Sequence, residues 1–312
     1  MKELATVPLT FTDDMRPLVE ARINGHKVPA MVNIGSQQGA VLNKKVLEQL
    51  GVGIRHITST QFHEEDDGAK HNSLNITTQR VFSRAMYSFI DDFSFGPTKL
   101  KKKTYLVEDF FDDSFGVRLG AKSILQQDVE FALDAGHLKY FRNDGCGTAH
   151  LAYWDPQAVP VSIANDPLKR EARPMFLVRI NGKDTWAVLS TGTPRSYIPT
   201  VVAERLGLTP SSPGAKREDP LPGDSSDKPI WNVPVAQIAI GDLEVSDVDL
   251  RLIDLSHSGE SLVLGADFMH RYRIYIAMSQ NKIYFSQLAQ PRTLKQGSVE
   301  VILDDSRAPR KD

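Results

Sequence analysis

Residues 22–41, RINGHKVPAMVNIGSQQGAV, and residues 179–198, RINGKDTWAVLSTGTPRSYI, align without a gap. Arg, Ile, Asn, Gly, Ala and a second Gly are identical, and most other positions keep their apolar or polar character. Each copy then enters a short helical pattern closed by Leu-Gly, KKVLEQLGV and VVAERLGL. Gly51 and Gly207 suit the left-handed residue that ends a helix. A second matched pair lies further on, VRLGAKSILQQDVEFALDAGHLKYF (117–141) and LVLGADFMHRYRIYIAMSQNKIYF (262–285). The same four elements in the same order, twice, mark an internal duplication.

The periodicity inside each copy is that of strands. Asn24-Gly25 and Asn181-Gly182 sit between alternating segments, where Asn-Gly accepts the positive φ angles of a type I′ hairpin turn. VEFALDAGHLKYF, RIYIAMSQNKIYF and WNVPVAQIAIGDLEVSDVDLRLID (231–254) alternate with period two about turn residues. Helical patterns are few and short, so the class is mainly β. The expected division is an N-terminal lobe over 1–143, a linker over 144–173, a C-terminal lobe over 174–290, and a strand with a frayed tail over 291–312. NDPLKREARP marks the linker, and VEVIL (299–303) is the strand-like part of the tail. PSSPGAKREDPLPGDSSDKP (210–229) reads as a long loop, and QFHEEDDGAKHNS (61–73) as its counterpart in the first lobe.

The totals narrow the partners. Of 312 residues, 41% are hydrophobic and 24% charged, a balance that supports a buried core. A formal net charge of −2 gives no reason to expect nucleic acid or an anionic membrane as partner. Lys101-Lys102-Lys103, the one tight basic run, reads as the guard of a sheet edge. A single cysteine, Cys146, excludes a disulfide within the chain and a cysteine-based zinc site. No apolar stretch approaches the ~18 residues of a membrane span. The chain reads as cytoplasmic as written, or periplasmic or secreted if a leader has been removed.

Strand, Asn-Gly turn, strand, apolar–apolar–X–Thr–Gly, short helix ending in Leu-Gly, and later Leu-Gly–X–Asp-Phe: this order resembles the aspartic peptidases, and most closely the retropepsin-like bacterial branch, with two lobes in one chain. The resemblance covers about 240 of the residues, and AVLSTGTPRSYIP with LVLGADFMHRYRIYI is its more specific half. It implies a bilobal fold of double-ψ β-barrel lobes. Fused copies would supply in a monomer the twofold relation that single-lobed relatives obtain by dimerising.

The family's chemistry uses two aspartates, one per lobe. So close together they share a proton, one acting as base on the attacking water and the other polarising the scissile carbonyl. By this resemblance Asn33 and Ser190 occupy the two positions, with Ile34, Gly35 and Ser36 beside one and Thr191, Gly192 and Thr193 beside the other. An amide has no proton-accepting state near neutral pH, and a serine hydroxyl is no base without a partner. The family also places Thr or Ser after each aspartate, to hydrogen-bond across to the other loop. Thr191 keeps that hydroxyl, and Ile34 cannot supply one. No catalytic residue is intact in this reading.

The expectation is therefore a pseudo-peptidase that binds an extended peptide or protein segment between its lobes. The alternatives are a cleft re-used for non-proteolytic chemistry on a small molecule, and an active endopeptidase whose aspartates were replaced. Ser190 as a nucleophile would need a base brought to it by the fold. No cofactor motif is present and no metal is expected. His63, Glu64, Glu65, Asp66, Asp67 and His71 match no regular ligand spacing and read as a solvated flap tip. His26 and His137 read as solvated turn residues, Asp267 as a helix N-terminal cap, and Trp186, Trp231 and Phe62 as core or cleft-facing aromatics.

Overall fold

A computed structural model describes residues 1–64, 78–110, 112–164, 171–219, 229–254 and 261–289, with backbone alone at 58–64 and 78–84. The first half runs β1 (Lys2–Pro8), β2 (Thr10–Phe11), β3 (Pro17–Ile23), β4 (His26–Asn33), β5 (Ala40–Asn43) and α1 (Lys44–Gln49). It continues through β6 (Ile54–Glu64), β7 (Thr78–Phe95), β8 (Thr98–Glu108), β9 (Val117–Gly120), α2 (Ala121–Ile124), β10 (Asp128–Ala132) and β11 (His137–Arg142). After β12 (Val159–Ser162), the second half repeats the order. It has β13 (Met175–Ile180), β14 (Lys183–Leu189), β15 (Tyr197–Pro199), α3 (Thr200–Arg205), β16 (Lys216–Glu218) and β17 (Ile230–Ile240). Then come β18 (Leu243–Ile253), β19 (Leu262–Leu264), α4 (Ala266–Met269), β20 (Tyr272–Ala277) and β21 (Lys282–Gln287).

Local chemistry starts each half in the same way. Asn24 and Gly25 have φ of 48° and 86°, and Asn181 and Gly182 have 50° and 74°, the signs a type I′ turn requires. The strands leaving these turns, β4 and β14, bury their residues in the same alternating then continuous pattern. The continuous part, Ala30–Val32 and Ala187–Leu189, runs into the interior, where each strand gains a parallel neighbour, β9 or β19. That burial explains why the polar alternation stops at those positions.

In the first lobe the strands close as β3-β4-β9-β5-β8-β7, with β7 returning to β3. In the second they close as β13-β14-β19-β15-β18-β17, with β17 returning to β13. Both are closed six-stranded barrels, in the bilobal, mainly β, aspartic-peptidase-like arrangement that the resemblance implied. Ile23, Leu42, Leu47 and Phe93 fill the first barrel, and Phe176, Ile198, Val233 and Leu250 the second. Each such side chain withdrawn from water contributes roughly 1.5–3 kcal/mol. β6 and β16 lie outside the closed rings as edge strands. The lysine run of 101–103 sits on β8, whose second edge there has no strand partner among the described residues.

A third sheet belongs to both halves. Its order is β1-β11-β10-β20-β21-β12, joined at the middle where Val129, Glu130 and Phe131 pair with Ile276, Tyr275 and Ile274. One face packs on the barrel cores and the other is covered by residues 144–158. Leu151, Ala152 and Ala158 are buried there against Phe141, Tyr275, Ala277 and Tyr284.

Several expectations are corrected. The stretch 144–173 is no plain linker, since it holds this cover and strand β12, which completes the shared sheet. The loop over 210–229 contains β16, stitched by Glu218, which accepts hydrogen bonds from Arg195 at 2.8 Å and Arg251 at 3.2 Å. His26 is exposed, but His137 is half-buried, with Nε2 shielded from solvent 3.9 Å from Glu130 Oε1. Residues 65–77, 220–228 and 290–312 lie outside the described residues, as do the side chains of Phe62, His63 and Glu64. The expected flap tip, metal-like cluster and tail are thus not described. No helix among the described residues is long and apolar enough to cross a membrane.

Candidate functional site

Two loops meet between the barrels, one after β4 and one after β14. Asn33 ends β4 beside Gly120, and Ser190 follows β14, its amide donating to Leu264 O at 2.8 Å. The loops are held alike from below. Ala121 N donates to Ser36 O and Ala266 N to Thr193 O, both at 2.8 Å. The alanines of the two Leu-Gly-Ala motifs thus anchor corresponding loop carbonyls.

The polar side chains cross over between lobes. A Cβ built on Gly35 would lie 2.3 Å from Ser190 Oγ, and one on Gly192 would lie 2.2 Å from Asn33 Cγ. Each glycine is required because the other lobe's side chain occupies the space a methyl would take. Asn33 Oδ1 accepts from Gly35 N at 3.1 Å, which fixes the amide's orientation and leaves Nδ2 as its donor. Ser190 is buried, and its hydroxyl shares a 3.0 Å hydrogen bond with Thr193 Oγ1. Among the described residues no carboxylate, histidine or lysine is hydrogen-bonded to either side chain.

Thr191 stitches the loops from one side. Its hydroxyl donates to Val32 O at 2.6 Å and accepts from Ile34 N at 3.2 Å, all of it buried. Ile34, the aligned residue, is fully buried in the apolar core and returns no such bond. Thr191→Val keeps the shape and orphans two backbone groups of the first lobe, with an expected loss of about 1–3 kcal/mol of unfolding free energy. Urea denaturation reads this, and an unchanged midpoint would refute the stitch.

Asp267 is not a cap, since Gly265 holds the N-cap position of α4. Its buried carboxylate clamps the loop, accepting from Ser196 N at 2.9 Å, Ser196 Oγ at 2.7 Å and Phe268 N at 2.8 Å. Burial pushes this carboxyl above its ordinary range, against the pull of those donors and of Arg195. The first lobe has Lys122 at the matching position and no such clamp.

Further residues that periodicity did not single out shape the rim. Arg118 bonds Glu108 at 2.6 Å and Gln38 at 3.1 Å. Arg195, which aligns with Gln38, bonds Glu218 and, at 3.2 Å, Asn232. Gln37 reaches Glu171 at 2.6 Å, and Glu171 is paired with Arg173. Burial opposes the charge on Glu171, yet Arg173 holds its carboxyl below the usual range. The lone polar letters after each glycine turn were the available signal. Trp186 is exposed on the outer face of the second lobe, away from these loops in the fold's register, and Trp231 packs on the core.

Residues 177–268 match the sequence model of a family described as aspartyl protease. The match runs from β13 to α4 and so includes Ser190, Thr191, Gly192 and Asp267. No curated protein matches the chain. The match, confined to the second barrel, and the twin-barrel fold make this chain similar to the aspartic peptidases.

Proposed function

We propose that this protein is a pseudo-peptidase, which binds an extended peptide or protein segment between its lobes without cutting it. The observation that carries this reading is the pairing at the centre. Asn33 and Ser190 are each set against the opposite loop's glycine, and by the family resemblance they take the positions where the peptidases use carboxylates. Neither accepts a proton near neutral pH, so the general-base step, typically worth ~10²–10⁴ in rate, has no agent. What remains suits recognition. Asn33 Nδ2 is left to donate to a ligand carbonyl, and β6 and β16 are edge strands, among the described residues, to which an extended chain can add by backbone hydrogen bonds.

Denatured protein incubated with the purified chain from about pH 3 to 8, the range over which carboxylate dyads act, is expected to stay intact. Sustained cleavage that Asn33→Ala or Ser190→Ala abolishes would overturn the proposal. Fluorescence anisotropy with labelled unstructured peptides is expected to show binding. Asn33→Leu should weaken it about fivefold, the equivalent of one net hydrogen bond of about 1 kcal/mol.

A further inference from the structure

The outer side of the second lobe carries a groove of about 590 Å³, and none of the residues lining it belongs to the loops at Asn33 and Ser190. Its floor is the solvent face of β13 and β14, where Leu177 and Trp186 pair across the strands and are 48% and 39% exposed. Residues 160–164, on and just after β12, form one wall, and the turn Gly241-Asp242 borders it. The size suits one small organic molecule.

The duplication supplies a control on what the fold itself demands here. In the first lobe Glu20 and Pro29 align with Leu177 and Trp186, and they pair across β3 and β4 in the same way. Arg22 and Lys27 align with Arg179 and Asp184, and both cations are held by Glu20, at 3.0 and 2.8 Å. The wall is repeated too. A Cβ built on Gly96 would lie 3.0 Å from Val7 of β1, and one on Gly241 would lie 3.5 Å from Val161 of β12. Pro97 follows Gly96 where Asp242 follows Gly241. One barrel thus builds this corner from mutually neutralising charges. Leu177 and Trp186 add an exposed apolar surface to the other that the fold does not call for.

Charge is the second difference. Arg179 donates to Asp184 from Nε at 2.7 Å and from Nη2 at 3.3 Å, so these two groups neutralise each other. Asp242 also lines the groove, is exposed, and enters no ion pair among the described residues. Glu244 is exposed one strand further on, opposite Ala239, which itself pairs with Arg179. The groove is therefore acidic beside an exposed indole. An indole face attracts a cation through its ring quadrupole, and a carboxylate adds Coulomb attraction. We propose that this groove binds a small organic cation, an apolar body carrying one ammonium group. The body lies on Leu177 and Trp186, with the ammonium against the indole face and Asp242.

Two probes of nearly one shape test this, phenethylamine as the cation and phenethyl alcohol as its neutral counterpart. Binding to the full chain is read from NMR shifts of the Ser162, Ile163 and Ala164 amides and the Trp186 indole. Saturable shifts at millimolar phenethylamine are expected, with phenethyl alcohol binding about fivefold or more weakly. Asp242→Asn should remove most of the amine's advantage, and Trp186→Ala should weaken both probes. Both positions are exposed, so neither change should disturb the barrel. Equal affinities in the unaltered chain overturn the proposal, as does an amine preference undiminished in Asp242→Asn. Parent-like binding by Trp186→Ala, or no saturable shift at these amides, overturns it too. So do shifts on raising protein concentration alone, which would assign the groove to a second copy.

Discussion

Glu130→Ala is expected to lower the unfolding free energy by about 3 kcal/mol, the low end for breaking a buried ion pair by removing one partner. Glu130 has no solvent exposure and lies at the seam of the shared sheet. Its Oε1 accepts from Arg273 Nε at 2.8 Å and its Oε2 from the Tyr153 hydroxyl at 2.7 Å. The Arg273 guanidinium lies 4.4 Å from the centre of the Trp154 ring. Alanine would leave that cation without its carboxylate. Arg273 keeps 24% exposure, so water recovers part of the cost, which places the expectation at the low end. Because Glu130 and Arg273 come from different halves, the loss should weaken the coupling between them as well. A single urea transition in the parent is expected to broaden or split in the variant. Replacing both partners, Glu130→Leu with Arg273→Met, should regain most of the loss, since a matched apolar pair carries no desolvation cost. A Glu130→Ala midpoint within error of the parent would show that the seam does not depend on this pair.

Gly120→Ala is expected to cost about 3 kcal/mol, the upper part of the range for forcing a methyl into a filled site. The backbone of Gly120 is ordinary, with φ of −82°, so the demand is for space. An added Cβ would lie 2.2 Å from Gln38 O and 3.0 Å from Ser36 O, both main-chain atoms of the loop that begins at Asn33. A side chain can rotate away from such a contact, but these carbonyls already accept from Lys122 N and Ala121 N. Relief requires moving the loop, so the peptide binding proposed between the lobes should fall together with stability. Gly265, its counterpart, meets Thr193 O at 2.8 Å and Arg195 C at 2.7 Å, which explains why Leu-Gly-Ala recurs. Gly53→Ala serves as the control, since nothing lies within 4 Å of its Cβ. Equal urea midpoints for the Gly120 and Gly53 variants would overturn the argument.

The parts of this molecule that could be read from its letters are those set by local rules. Asn-Gly turns, period-two strands and Leu-Gly helix ends each depend on neighbours within a few residues, and because they occur twice the two barrels followed. Alignment made Asn33 and Ser190 equivalent, and only the family resemblance suggested that their loops meet between the barrels. Long-range partners were not legible. Nothing local in VEFALDAGHLKYF or RIYIAMSQNKIYF says that β10 and β20 will pair with each other rather than end two separate sheets. Residues 144–158 carry Pro and polar letters and no period, yet Leu151, Ala152 and Ala158 cover a sheet face. Asp267 resembled a cap because its true partner, Ser196, is 71 residues away. His137 looked like a turn residue because β1, which pairs with β11 there, comes from the distant start of the chain. β16 escaped notice because arginines from two other elements hold it.

The shared sheet also governs how this molecule can be divided. Cutting between the halves would strip β10 and β20 of their mutual hydrogen bonds and expose two raw ribbons, each with apolar residues on one face. Either fragment would then seek a substitute edge, and a second copy of itself offers the nearest match. Fission of this chain therefore yields adhesive halves rather than two autonomous modules, and the fused gene keeps each half's strongest self-attraction turned inward.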